Sequence, residues 1–238
     1  MKNKIIAFFY KTLRIKKVIL GRDKYYAIDV KCNKMKFGNK HAEWIFCPDD
    51  LDAQSIIYSF GVGKDISFDL SLIREFDCYI HAFDPTPSTE RWINNQTLSD
   101  KFIYKAIGLS DKEEVLYFSF LGDNENVSAS ILKGKQNLGF EAIVKPLNEL
   151  MLNNGHRYID VLKMDIEGAE YDVINQLCLM KIPIRQILVE FHHRFDWAGI
   201  NKTIAAISLL RKSGYQIFNI SRNGEEYSFI NKNINILG

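Results

Sequence analysis

No hydrophobic run in this chain approaches the roughly 18–20 residues that a bilayer crossing requires, so no membrane-spanning helix is expected. Cysteine is scarce and scattered. Cys32, Cys47, Cys78 and Cys178 form no C-x-x-C pair, which argues against both a zinc site and a disulfide framework and reads as reduced thiols of a cytoplasmic protein. A dominant charge is also missing: 31 basic against 29 acidic side chains leave a formal net charge of +2, too balanced to point to a nucleic-acid partner. There is no internal repeat and no low-complexity segment. What is present is 238 residues with 47% hydrophobic content, enough for one sizeable α/β domain.

The stretch from Ile159 to Cys178, I-D-V-L-K-M-D-I-E-G-A-E-Y-D-V-I-N-Q-L-C, organises the rest. Val161, Leu162 and Met164 form a short apolar strand that ends in Asp165 and Glu167, and Gly168 announces a helix. Ala169, Val173 and Leu177 recur at i, i+4 and i+8, which places Glu170 and Asp172 on the wet face. Two carboxylates then sit at the mouth of a strand-to-helix turn, the end of an open α/β sheet where ligands bind. Complementing the helix macrodipole accounts for Glu167 and Glu170 as readily as a ligand does. Asp165, at the strand tip before the turn, is not explained that way.

Upstream, Ile56 to Phe60 reads as a buried strand, followed by Gly61-Val62-Gly63, Asp65, and a helix carrying Phe68, Leu72 and Phe76. Strand, glycines and helix make a Rossmann-like turn that lets backbone approach a ligand, but Ile66 stands where the dinucleotide fingerprint has its third glycine. The next strand, Cys78 to Phe83, ends in Asp84. This residue follows Gly63 at about the 20-residue spacing at which an acid binds ribose hydroxyls; the alternative is a cap for a helix over Pro87 to Asn94. Phe102 to Ile107 is a third strand, with Gly108 opening a loop at the same edge. Strands over Val115–Phe120 and Glu141–Val144 flank a polar segment, residues 122–130, that is either a substrate lid or a surface loop. A further strand, Ile187 to Phe191, is interrupted by Glu190 and ends in His192-His193; a carboxylate inside an apolar run is rare unless paired or functional. A helix over Asn201–Lys212 capped by Gly214 leads to two strands joined through Asn223-Gly224, a strong hairpin signal.

The spacing predicts an N-terminal extension over residues 1–48 and a main α/β domain over 49–238. The extension begins with Ile5, Ile6, Phe8, Phe9 and Leu13 set among Lys2, Lys4, Lys11, Arg14, Lys16 and Lys17. This is a basic amphipathic helix that either docks on the domain or makes peripheral contact with an anionic membrane surface.

Gly61-Val62-Gly63, Asp84-Pro85 and above all L-K-M-D-I-E-G-A-E at Leu162 to Glu170 resemble the FkbM family of S-adenosylmethionine-dependent methyltransferases, with similarity in order and spacing from about Ile56 to Phe191. The resemblance implies a class I methyltransferase fold, a mostly parallel Rossmann-like sheet ending in an antiparallel hairpin. It also implies methyl transfer to oxygen, most often on a sugar of a surface glycan or on a secondary metabolite; the basic N-terminal helix would fit work at the inner membrane face. Gly61 and Gly63 would face the methionine moiety, Asp84 the ribose, Ile107 and Gly108 the adenine, and Asp165 the methyl group and acceptor. Where many members carry an acid just before the first glycine this chain has Ser59-Phe60, so Asp65 is the expected contact to the methionine amino group.

A sugar hydroxyl is a poor nucleophile at neutral pH and calls for a base or a metal. His192 is the expected base, beside Asp165 and Glu190; alternatively, these three hold a divalent cation, or His192 is a satisfied structural residue. Two other classes share the glycine turn and Asp84: a nicotinamide-dependent oxidoreductase and a non-catalytic Rossmann-like scaffold.

Overall fold

The structure, a computed structural model, describes residues 12–120, 129–130, 139–195 and 198–234. Helix α1 (residues 12–19) precedes an antiparallel ribbon of β1 (Met35–Phe37) and β2 (Trp44–Phe46). The first half of the main sheet then alternates β3 (Ile56–Phe60), α2 (Ser67–Phe76), β4 (Tyr79–Phe83), α3 (Pro87–Asn94) and β5 (Phe102–Lys105). A small sheet of β6 (Gly108–Leu109), β7 (Glu114–Phe120), β8 (Ala129–Ser130) and β9 (Gly139–Lys145) intervenes. After α4 (Leu147–Asn153), the second half runs β10 (Ile159–Met164), α5 (Glu170–Leu179), β11 (Ile184–Glu190), α6 (Ile200–Lys212), β12 (Gln216–Ile220) and β13 (Glu226–Ile230).

The main sheet has seven strands in the order β12-β13-β11-β10-β3-β4-β5, parallel except for β13, which is antiparallel to both its neighbours. This is the class I methyltransferase sheet with its terminal hairpin. Strands covered on both faces read as near-continuous apolar runs, and every residue of β10 is buried. Register then fixes the mouth. Met164 lies opposite Phe60 and Val189, Phe60 opposite Phe83, and Glu190 opposite Glu226. Gly61, Asp84, Asp165 and Glu190 thereby come to the same end of adjacent strands. The order reverses between β10 and β3, the kind of position at which an open sheet leaves a crevice.

One expectation shifts, and two fall wholly or partly outside the described residues. The third strand stops at Lys105, where Ile107 N–H returns to the Lys105 carbonyl (2.9 Å) and the chain crosses to β6 of the small sheet. Of the polar segment 122–130, residues 122–128 lie outside the described residues, while Ala129 and Ser130 pair with β7. Residues 1–11 of the basic N-terminal segment lie outside them as well.

Strand β2 is built into the core. Phe46 is fully buried among Phe37, Phe68 and Phe76, and the Gln186 amide of β11 clasps Cys47 from both sides, accepting from its N–H (2.9 Å) and donating to its carbonyl (2.8 Å). Gln186→Leu keeps the volume and orphans both buried groups. It is expected to lower unfolding free energy by about 2–4 kcal/mol, read as a lower urea midpoint at unchanged slope.

Candidate active site

The turn after β3 is shaped by how close it runs to β10. Gly61 has φ +70°, and a Cβ there would lie 1.7 Å from the Asp165 carbonyl oxygen, so no side chain fits. Gly63, at φ +55°, donates its N–H to Asp84 Oδ2 (2.9 Å), while Asp84 Oδ1 accepts from Thr86 N–H (2.8 Å). The buried Asp84 thus ties the glycine turn to the Thr86 turn that leads into α3, which has no side-chain cap. Each of its oxygens keeps acceptor capacity. Asp65 lies on the rim, accepting from Ser67 N–H (3.0 Å) and from the Asn39 amide (3.3 Å). Burial raises its pKa, but these bonds outweigh it and hold the carboxyl below its usual value.

These residues line one cleft of about 440 Å³, a volume suited to a small ligand. Gly61, Gly63, Asp65, Asp84, Ile107, Gly108, Asp165 and Glu190 all face it. At one end, Pro85, Ile107, Leu109 and Phe118 form an apolar slot; a Cβ on Gly108 would press to 2.8 Å from Val144 and 3.4 Å from Pro85. Lys163 and Asp69 were not among the expected residues. Lys163, buried in mid-strand, donates to the carbonyls of Gly61 (2.9 Å) and Phe60 (3.2 Å) and lies 5.4 Å from the Trp44 ring centre. The buried Asp69 carboxyl is raised by burial, against the pull of Lys163 and Ser59. The one available signal was a lysine inside the otherwise apolar run V-L-K-M.

At the other end, behind the lining residues Asp165, Glu167 and Glu190, carboxylates crowd around His192, which is not itself part of the lining. Glu170 is not on a wet face: it is fully buried, its Oε2 accepting from Gly168 N–H (2.8 Å) and its Oε1 from His192 N–H (2.9 Å). It stitches the turn after β10 to the segment after β11. His192 Nδ1 is 3.4 Å from Glu170, and its Nε2 is 3.6 Å from Asp165 and 3.4 Å from Glu167. Burial alone would lower the His192 pKa; Glu170, Asp165 and Glu167 together raise it to about 10. Glu190 is pushed up to about 8 by burial and by Asp165 and Glu226, with His192 pulling the other way. Burial likewise raises Asp165, despite Lys163 and His192. Glu167 reaches this cluster from a left-handed conformation, φ +48°, unusual for a residue with a side chain.

The family model described as the Methyltransferase FkbM domain matches residues 47–217. The chain belongs to this family. Among curated relatives, the probable methyltransferase-like protein 24 of Homo sapiens is 26% identical over 182 residues, covering 72% of this chain and 43% of the relative. The chain therefore spans less than half the length of that relative. Among solved structures, an FkbM methyltransferase from Methylobacillus flagellatus KT is 12% identical at a TM-score of 0.46, over 76% of this chain and 44% of its own. A fibrillarin pre-rRNA processing protein from Methanococcus jannaschii is 11% identical at 0.43, over 83% of this chain and 82% of its own. The class I methyltransferase fold rests on the strand order described above, and the FkbM family on the family model.

Gly61→Ala and Gly155→Ala separate backbone strain from the Asp165 contact. Both glycines have positive φ, but around Gly155 nothing lies within 4 Å of an added Cβ. Gly155→Ala is expected to cost about 1 kcal/mol, and Gly61→Ala several times that, measured as melting temperature together with calorimetric titration of S-adenosylmethionine.

Proposed function

We propose that this FkbM-family chain is an S-adenosylmethionine-dependent methyltransferase acting on a hydroxyl oxygen, with a sugar of a surface glycan or a secondary metabolite as its acceptor class. The observation that carries this reading is the single cleft in which the Asp84-tied glycine turn meets the Asp165–Glu190 pair. Gly61 packs directly on the Asp165 carbonyl, which holds the glycine turn with its backbone lining the cleft where a methionine chain would lie. Asp84 has lone pairs for ribose hydroxyls, Ile107 and Gly108 border a flat apolar slot for adenine, and Asp65 stands at the rim toward the amino group. When bound, S-adenosylmethionine supplies an already activated methyl group on a sulfonium. The protein's task is to align the acceptor and take up its proton.

His192 is poorly suited to take that proton, because flanking carboxylates keep it an imidazolium at neutral pH. We assign proton uptake to Glu190, whose pKa near 8 lies close to a neutral operating pH, with Asp165 beside it. His192 then offsets the charge of Asp165 and Glu167. The donor atoms of Asp165, Glu190 and His192 lie within 4.8 Å of one another, the convergence a metal would need. An imidazolium and a divalent cation compete for the same oxygens, and we assign the positive charge to His192.

Micromolar calorimetric binding of S-adenosylmethionine and S-adenosylhomocysteine, lost in Asp84→Ala, is the expected result; binding of NAD alone would overturn the reading. With an acceptor in hand, kcat/KM should rise as Glu190 loses its proton near pH 8 and fall as His192 loses its own near pH 10, both apparent values belonging to the coupled cluster. Glu190→Gln should remove the rising limb, and turnover should survive EDTA.

A further inference from the structure

Helix α1 is seated with its charged face toward the body of the protein. Arg14 reaches Asp23 (3.3 Å), the Tyr227 hydroxyl (3.3 Å) and the Lys24 carbonyl (3.3 Å), and Lys17 lies in the field of Arg194, Glu225 and Asp23. The apolar face looks outward. Leu13, Ile15, Ile19 and Leu20 are all exposed, Ile19 at 79%, and the following chain adds Ile28 and Tyr25, the latter at 74%. A helix that stays in water does the opposite, and a contiguous exposed apolar patch marks a surface that something covers.

The charges around the patch indicate what covers it. Lys16, Arg22 and Lys24 are exposed among these apolar groups, while Asp23, the one acid between residues 12 and 28, is buried beneath Arg14. Apolar side chains in a basic frame, beside which the one exposed acid, Asp29, is paired with Arg211 (2.7 Å), match the interface of an anionic bilayer. A second copy of this chain would set two positive faces against each other. Among the described residues no helix is long and apolar enough to cross a membrane, so the match is to a surface contact.

The patch also has a fixed relation to the cleft. Because β13 runs antiparallel to β11 with Glu226 opposite Glu190, the turn over residues 221–225 lies at the cleft end of the sheet. Arg14 packs on that turn, its Nε only 2.3 Å from where a Cβ on Gly224 would stand. Arg194, two residues past His192, links the same structure through Glu225 (2.6 Å) and Asp23 (3.8 Å).

We propose that residues 12–28 dock the protein on an anionic bilayer and hold the mouth of the cleft near the lipid surface. The corollary, which rests on the methyltransferase reading, is an acceptor carried by the membrane.

The test is co-sedimentation of the full chain with vesicles of phosphatidylcholine alone and of phosphatidylcholine containing phosphatidylglycerol. Binding to the anionic vesicles, weakened by salt and several-fold above the neutral ones, is expected. The triple variant Ile15→Ser, Ile19→Ser, Leu20→Ser should abolish it, and Lys16→Glu with Arg22→Glu should lower it by at least about an order of magnitude. Unchanged S-adenosylmethionine binding by the variants would show that the fold is intact and that the docking result is independent of the cofactor result. Sedimentation of the triple variant at the wild-type level, no sedimentation of the wild type, or a solution dimer that the triple variant dissolves would each overturn the proposal.

Discussion

A lysine cation lies in the middle of a parallel sheet, and the mouth of the cleft is built around it. Burying a charge is costly unless it is paired and hydrogen-bonded. Lys163 meets that demand with the Phe60 and Gly61 carbonyls, the Trp44 ring and the field of the buried Asp69. These partners come from three separate parts of the chain. Satisfying one ammonium group therefore places β2, the end of β3 and the first turn of α2 around β10, and it orients the Gly61 carbonyl into the sheet so that the glycine turn bends toward the cleft.

At the next strand pair the constraint is reversed, because negative charge is in excess. Asp165, Glu167 and Glu170 gather about one imidazole and raise the His192 pKa, while burial and the neighbouring Asp165 and Glu226 raise that of Glu190. Glu170 serves a different purpose from its neighbours. With both oxygens bound to backbone N–H groups it acts as a rivet between two loops, which keeps His192 within reach of Asp165.

The parts of this arrangement set by periodicity or local backbone chemistry were legible in the sequence: the α3 helix over Pro87–Asn94, the hairpin around Asn223-Gly224 and the Asp84 spacing. Glu170 was misplaced because helical periodicity gives only an angle about the axis, whereas its burial comes from the end of β11 lying over the first turn of α5. The carboxylates around His192, which bear on its expected role as a base, are not readable from residue type. Lys163 and Trp44 depend on contacts between distant segments, which no local pattern encodes. The change of sheet after Lys105 is likewise decided by pairing of Gly108 with Val144.

The Gln186 clasp on Cys47 spans 139 residues of sequence. Its two hydrogen bonds close a loop containing most of the residues that line the cleft. During synthesis β2 emerges early, but the Cys47 backbone groups meet their Gln186 partner only once β11 has followed. Long closures of this kind slow folding and lengthen exposure to aggregation. A few residues at the margin of the domain thus tie completion of the core to the late arrival of the strand that carries Glu190.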